Sequence, residues 1–198
     1  MSPGDDGRVV RPRLRRYVAR VDDLVAKLRE RVRSGERAID YGFGNARPFP
    51  PATPQEIDES ERRLGFALSP LLRRVYFEVA NGGFGPAYGL IGVVGGAADG
   101  RRKNAVDLYA EYRMPDPSDP HWEWPAKLLP VCNLGCAMYL CVDCGDPRGP
   151  VTWFEPNPHC DGEPWDDAFN PLAASTDAWL SAWVDGNDLF ERLIAESA

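Results

Sequence analysis

Histidine is scarce in this chain of 198 residues, which contains only His121 and His159. Nucleophilic catalysis by serine or cysteine needs a base beside the nucleophile, and neither histidine lies in a known nucleophile motif. The glycine-rich residues 89–96 lack the lysine and the serine or threonine of a nucleotide-binding P-loop. Carboxylate pairs such as Asp166 with Asp167 arise by chance in an acidic region, so they do not indicate a glycosidase. The sequence therefore gives no positive indication of an enzyme.

Long apolar runs are also missing. No stretch approaches the roughly 20 apolar residues that cross a bilayer, and the N-terminus lacks the apolar core of a secretory signal. Hydrophobic residues make up 43% of the chain and charged residues 27%, which are values of a soluble globular protein. We therefore expect a cytoplasmic protein that has one sizeable core and no contact with a membrane.

Basic residues are few in the C-terminal part of the chain. Residues 115–198 contain 15 Asp and Glu against 3 Lys and Arg, a net charge of −12, whereas residues 1–40 have a net charge of +4. So acidic a region argues against nucleic-acid binding and suits a basic protein partner, which its field would steer. The plainer interpretation is that the acidic residues only keep the protein soluble.

The N-terminal residues predict a long amphipathic helix. The arginines of this helix have two interpretations. They contact an acidic lipid surface or nucleic acid, or the helix packs on the domain and its arginines pair with the acidic C-terminal part. We prefer the second interpretation because Asp22, Asp23 and Glu30 interrupt the basic face. Residues 1–40 are therefore expected to form a helical extension, and residues 41–198 the main domain. The apolar stripe of the helix consists of Leu14, Tyr17, Val18, Val21, Leu24, Val25, Leu28 and Val32.

Two helix starts follow. Thr53, Pro54 and Glu56 have the spacing of a capping box with proline at the first helical position. Ser69-Pro70 predicts a second start of the same kind, and Asn81-Gly82-Gly83 predicts its end, because these residues tolerate positive φ.

The rest of the chain predicts a sheet. A strand pair, or a strand and turn, is expected within residues 84–94, and a short helix is expected before Pro115. Three strands are expected at 128–133, 136–143 and 151–155, the last two antiparallel because a short turn joins them. Residues 115–125 and 156–171 read as acidic loops, and Ser175 as the cap of a final helix. The fold class predicted is α+β, a largely antiparallel sheet flanked by helices.

Short pieces of the sequence form an ordered set: Pro51-Ala52-Thr53, Ile57 and Glu61 with Leu64-Gly65, Leu68 with Pro70, Asn81-Gly82-Gly83, Leu129-Pro130-Val131, Asn133-Leu134-Gly135-Cys136, Cys141-Val142-Asp143, Val151 with Phe154-Glu155, and Ser175 with Trp179-Leu180. In identity and order they resemble the SUKH superfamily, which includes a yeast cell-wall-assembly regulator and many bacterial immunity proteins. The resemblance implies a SUKH-like α+β domain that binds another protein and does not catalyse a reaction.

This resemblance and the acidic charge together suggest an immunity protein that neutralises a cognate polymorphic toxin by binding a basic toxin domain. The alternative is an intracellular scaffold or regulatory module without a toxin partner, which the N-terminal helix favours because it lies outside the resembling pieces. Aromatic residues in the acidic loops serve either as hot spots for a partner or as lids over the core. Charge and loop placement give the candidate partner-binding residues His121, Trp122, Glu123, Trp124, Asp143, Glu155, Asp161, Trp165, Asp166 and Asp167.

The cysteines leave a further alternative open. Cys141-Val142-Asp143-Cys144-Gly145 has the form of a zinc-knuckle turn, and Cys132 with Cys136 would complete a set of four ligands. Cysteine is equally a small residue suited to a buried strand. We expect no metal and no other cofactor, and no disulfides in a cytoplasmic chain.

Overall fold

The computed structural model describes residues 12–34, 47–160, 162–189 and Arg192. The helices are α1 (Pro12–Ser34), α2 (Pro54–Leu64), α3 (Pro70–Arg74), which continues as a π-helical segment (Val75–Val79), α4 (Ala105–Tyr112) and α5 (Thr176–Val184). The strands are β1 (Leu128–Gly135), β2 (Met138–Asp143), β3 (Val151–Phe154) and β4 (Phe169–Ala173). A 3₁₀ turn, Asp166–Ala168, leads into β4.

The four strands form one antiparallel sheet in the order β1-β2-β3-β4. Strand β2 lies inside the sheet, and its residues 139–142 are all buried, so both of its faces are covered. The register opposes Leu129 to Val142, and Val142 to Val151. The α+β class and the antiparallel pairing of β2 with β3 are confirmed.

Two segments differ from the sequence prediction. Strand β4 was not predicted, and its first three residues lie in the predicted loop 156–171. Its sequence, Phe169-Asn-Pro-Leu-Ala, has no β-branched residue and contains a proline, which a sheet accepts at its edge. Residues 84–94 form only one isolated bridge, from Leu90 to Cys132, because their glycines have little to pack and do not extend into a ladder.

The predicted capping box of α2 is confirmed. The Glu56 N–H donates to Thr53 Oγ1 at 3.2 Å, and the Thr53 N–H donates to Glu56 Oε2 at 2.7 Å. Ser69 precedes α3 as predicted, but its side chain makes no capping hydrogen bond. Its buried hydroxyl lies close to Gly149 instead.

Helix α1 packs against α5 and the π-helical segment. Val21, Leu24, Val25 and Leu28 are buried in the same core as the sheet, whereas Tyr17 and Val18 of the predicted stripe are exposed. None of the helices in the described ranges is long and apolar enough to cross a membrane. The predicted boundary at residue 40 lies outside the described residues.

Arginines attach α1 to the rest of the protein. Arg20 pairs with Asp177 of α5, and Arg29 pairs with Glu78 at 2.8 Å. Arg74 of α3 also pairs with Asp22 of α1, at 2.8 Å. Of these three carboxylates, Asp177 lies in the acidic C-terminal part, whereas Glu78 and Asp22 lie in the N-terminal half. The packed-helix interpretation therefore describes α1, with ion pairs to more than one region of the chain.

Replacing Leu28 by alanine is expected to lower the free energy of unfolding by about 2–5 kcal/mol, because the side chain is fully buried and leaves a cavity. The control is Val18→Ala on the same helix, where 47% exposure predicts a loss below about 0.5 kcal/mol. Urea unfolding of both variants measures the difference. Equal, small losses would show that α1 does not contribute to the core.

A candidate partner-binding surface

Two acidic loops that are distant in the sequence meet at one edge of the protein. The Trp165 indole N–H donates to Asp119 Oδ2 at 2.6 Å, across 46 residues of chain. The rings of Trp122 and Trp165 are 4.9 Å apart and perpendicular. These contacts join residues 115–125 to residues 155–168. We call their exposed and half-buried face the acidic–aromatic surface, which comprises His121, Trp122, Glu123, Glu155, Trp165, Asp166 and Asp167.

A cluster of aromatic rings supports this surface from below. Trp124 is only 1% exposed, stacks on Tyr112 at 4.5 Å, and packs against Phe154 at 4.9 Å. Its indole N–H donates to the Leu128 carbonyl at 2.7 Å. The structure therefore places Trp124 beneath the surface, as a lid over the core, and not on it as the candidate set had placed it. It cannot touch a partner in this arrangement.

The two half-buried tryptophans are held by hydrogen bonds and stacking. The Trp122 indole N–H donates to the Tyr112 carbonyl at 3.0 Å, and the His159 ring stacks on Trp165 with centroids 3.6 Å apart. Side chains fixed in this way lose little rotamer freedom when a partner binds. Their fixed position suits them as hot-spot residues.

Carboxylates also shape the first loop. Asp116 Oδ1 accepts from the Ser118 N–H at 2.8 Å, and Asp119 Oδ1 accepts from the His121 N–H at 2.9 Å. The Trp165 indole N–H and the His121 N–H hold the pKa of Asp119 below its ordinary value, and the hydroxyl and N–H of Ser118 do the same for the pKa of Asp116. Both side chains are therefore ionised at neutral pH and add to the negative field of the surface.

A groove of about 270 Å³ runs between the two loops. Its lining includes four candidate residues, His121, Glu123, Trp165 and Asp166, and adds Pro125, Pro164 and Phe169. The two prolines are next to Trp124 and Trp165 in the sequence, and this adjacency could have predicted them as lining residues. No sequence feature predicted Phe169 as a lining residue, because its strand was not predicted.

Asp143, another candidate residue, lies at the end of a strand and not in either acidic loop. Asp143 ends β2, four residues from Tyr139, which pairs with Phe154 beside the surface; this is about 13 Å along a strand. Its Oδ1 accepts from the Gly145 N–H at 2.7 Å and shapes the turn there. Asp161 lies outside the described residues.

The four cysteines do not converge on a zinc site. Cys132 and Cys141 are buried, and the Cys132 thiol donates to the Pro86 carbonyl at 3.2 Å. Cys136 and Cys144 lie beyond opposite ends of β2, about 20 Å apart at the rise of a strand. Within the described ranges no group of three or more His, Cys, Asp or Glu side chains is placed to hold a metal ion.

Burial also affects the protonation of these thiols. It raises the pKa of Cys132 and Cys141, and raises that of Cys144 to about 11. The three thiols are therefore protonated at neutral pH in the metal-free protein. The interpretation of cysteine as a small residue of a buried strand describes Cys132 in β1 and Cys141 in β2. Cys144 is half-buried in the turn after β2, and Cys136 is exposed in the β1–β2 turn.

A second cleft, of about 490 Å³ and mainly apolar, lies beside the β1–β2 turn. It is lined by Tyr88, Gly100, Arg101, Asn133, Gly135, Cys136, Ala137 and Tyr139. None of the described residues in this lining is a histidine or a carboxylate, so none of them is an ordinary general base for the thiol of Cys136.

The fold and this surface define an α+β domain that displays acidic loops at one edge of an antiparallel sheet. The family model described as SMI1 / KNR4 family (SUKH-1) matches residues 51–182, about two thirds of the chain. The chain belongs to this family, as the ordered pieces predicted. It is thus a SUKH-domain protein, of a family typically involved in immunity or regulation through protein–protein interaction. Helix α1 precedes the matched range, and no curated protein matches the chain.

Proposed function

We propose that this protein is a cytoplasmic immunity protein, which neutralises a cognate toxin by binding a basic domain of that toxin through the acidic–aromatic surface. The observation that supports the proposal is the meeting of two acidic loops on one face through the contact of Trp165 with Asp119. No lysine or arginine occurs in residues 115–125 or 149–168, so both loops carry negative charge, and the cation that contacts the first of them, Arg113, donates to the Trp124 carbonyl.

The physical argument is complementarity. A face of one sign raises the rate at which an oppositely charged partner is captured and rejects partners of like charge. The half-buried rings of Trp122 and Trp165 add apolar area inside the acidic rim, which is the composition of a binding hot spot. Binding of this kind blocks the partner, and we propose that the protein acts in this way and not as an enzyme.

Reversing two charges at once tests the proposal. The double variant Asp166→Lys/Asp167→Lys is expected to slow association with the toxin domain encoded beside the gene by about tenfold or more at low salt, with the difference shrinking at high salt. Stopped-flow association over a salt series measures it. Both side chains are exposed, so folding is expected to be unaffected.

The matched control is Glu30→Lys/Asp58→Lys, which changes net charge equally at two exposed positions on α1 and α2. It is expected to change association much less, because the altered charges lie outside the acidic–aromatic surface. Equal slowing by both double variants would show an effect of net charge alone, and unchanged rates would remove this surface from the proposal.

A second candidate function is a scaffold or regulatory module without a toxin partner. The observation that favours it is α1, which precedes the family match and leaves Tyr17 and Val18 exposed. Two results together would support this function over immunity. One is the absence of a toxin gene nearby. The other is a partner, isolated by pull-down, that the Tyr17→Ala/Val18→Ala variant no longer binds and the Asp166→Lys/Asp167→Lys variant still binds.

A further inference from the structure

The groove within the acidic–aromatic surface has a more definite chemistry than the surface as a whole. The first loop contributes His121, Glu123 and Pro125 to its lining, and the second contributes Pro164, Trp165 and Asp166. Each loop therefore supplies one carboxylate. No lysine or arginine is among the described residues that line it.

The apolar part of the groove is held in place. Trp165 is fixed by its hydrogen bond to Asp119 and by the stacked His159 ring. Phe169, at the start of β4, packs on Phe154 at 5.1 Å and on the buried Trp124 at 5.4 Å. Because these rings are already ordered, a side chain that enters the groove does not have to order them.

We propose that this groove receives an arginine side chain of the basic partner, an inference that rests on the proposed function. The guanidinium group lies between the carboxylates of Glu123 and Asp166, and the aliphatic stem lies along Trp165, Phe169 and the prolines. Carboxylates on both loops favour a cation and exclude anionic ligands. Rigid aromatic walls favour a long side chain with an apolar stem.

Arginine fits this arrangement better than lysine for a geometric reason. The guanidinium group is planar, presents several N–H donors in a fixed fork and is weakly hydrated, so it can bond two carboxylates while it packs against a ring. The lysine ammonium is a compact and strongly hydrated point charge. The groove is therefore expected to distinguish the two cations, which a diffuse acidic surface would not do.

The first test uses a probe that needs no identified toxin. N-acetyl-arginine amide is titrated into the full-length protein at pH 7.5 and followed by two-dimensional NMR. We expect saturable shifts of the Trp165 indole N–H and of backbone amides in residues 121–126 and 165–169. N-acetyl-lysine amide is expected to bind at least about threefold more weakly, and N-acetyl-citrulline amide, which keeps the shape and lacks the charge, is expected not to bind.

Adjacent aspartates in the 3₁₀ turn give a matched pair of variants. Asp166 lines the groove and Asp167 does not, although both are exposed. Asp166→Asn is expected to weaken binding of the arginine probe at least fivefold, and Asp167→Asn less than twofold. Equal effects of the two variants would indicate a general acidic field, and the absence of saturable shifts, or equal binding of citrulline, would overturn the groove proposal.

The two proposals fail separately. If the Asp166→Lys/Asp167→Lys variant associates more slowly with the toxin but the arginine probe shifts no NMR signal, the groove proposal is wrong and the proposed immunity function stands. Specific binding of the arginine probe without any association with the neighbouring toxin domain keeps the groove as an arginine site and rejects the proposed function.

Discussion

Replacing Trp124 by alanine is expected to lower the free energy of unfolding by about 3–5 kcal/mol, the cost of emptying a large aromatic site in a core. The side chain is almost completely buried and contacts the rings of Tyr112, Phe154 and Phe169. The substitution also removes the hydrogen bond to the Leu128 carbonyl. Urea unfolding followed by far-UV circular dichroism measures the loss.

Trp122→Ala is the matched control. Trp122 lies two residues away on the same loop, is half-buried and also donates its indole N–H to a carbonyl, that of Tyr112. It is expected to lose less than half as much stability, because less area returns to water, and to weaken partner binding more at equal folded concentration. A larger stability loss for Trp122→Ala than for Trp124→Ala would contradict the assignment of Trp124 to the core.

The different roles of these tryptophans also show where prediction from the sequence stops. Trp122 and Trp124 occur in the same acidic, proline-rich run, and both fit a partner surface or a lid. The two differ in the rings that other elements bring to them: Trp124 lies 4.9 Å from Phe154 and 5.4 Å from Phe169, whereas Trp122 lies 6.3 Å from Phe154. The contact partner comes from another part of the chain, so the periodicity of the loop carries no information about it.

Features with local causes were predictable. The capping box at Thr53 depends on residues three apart, and the β2–β3 pairing depends on one short turn. The acidity of each loop could be read from composition, but their meeting could not, because the bond from Trp165 to Asp119 spans 46 residues. Asp143 shows the same limit, because its pairing opposite Leu128 and its hydrogen bond from the Gly145 N–H depend on strand register and turn geometry, which composition does not reveal.

The Asn81-Gly82-Gly83 segment, one of the pieces that resembled the family, joins several parts of the fold. The Asn81 side chain accepts from the Val93 N–H at 2.9 Å and donates to the Val94 carbonyl at 3.0 Å. Its backbone N–H donates to Pro50 and its carbonyl accepts from Ala97. The next residue, Gly82, has φ +82° and lies in close contact with neighbouring backbone. The turn thus has two requirements, a positive φ and the absence of a side chain.

Gly82→Ala is expected to lower the free energy of unfolding by about 3–5 kcal/mol, the sum of left-handed strain and overpacking. A Cβ atom there would lie 2.5 Å from the Gly92 nitrogen and 2.6 Å from the Leu90 oxygen. Both are backbone atoms held by hydrogen bonds, from Gly92 N–H to Ala97 and from Gly83 N–H to the Leu90 carbonyl, so neither can move aside cheaply. Thermal and urea unfolding measure the loss.

Gly65→Ala separates the cost of left-handed backbone strain from the cost of overpacking. Gly65 ends α2 with a similar φ of +76°, but nothing lies within 4 Å of the position that its Cβ would take. This variant is therefore expected to lose only the conformational strain, about 1–2 kcal/mol. Equal losses at both positions would mean that backbone strain alone explains the glycine at 82. A larger loss at Gly82 assigns the difference to the close approach of residues 90–92, and would explain chemically why this turn requires glycine.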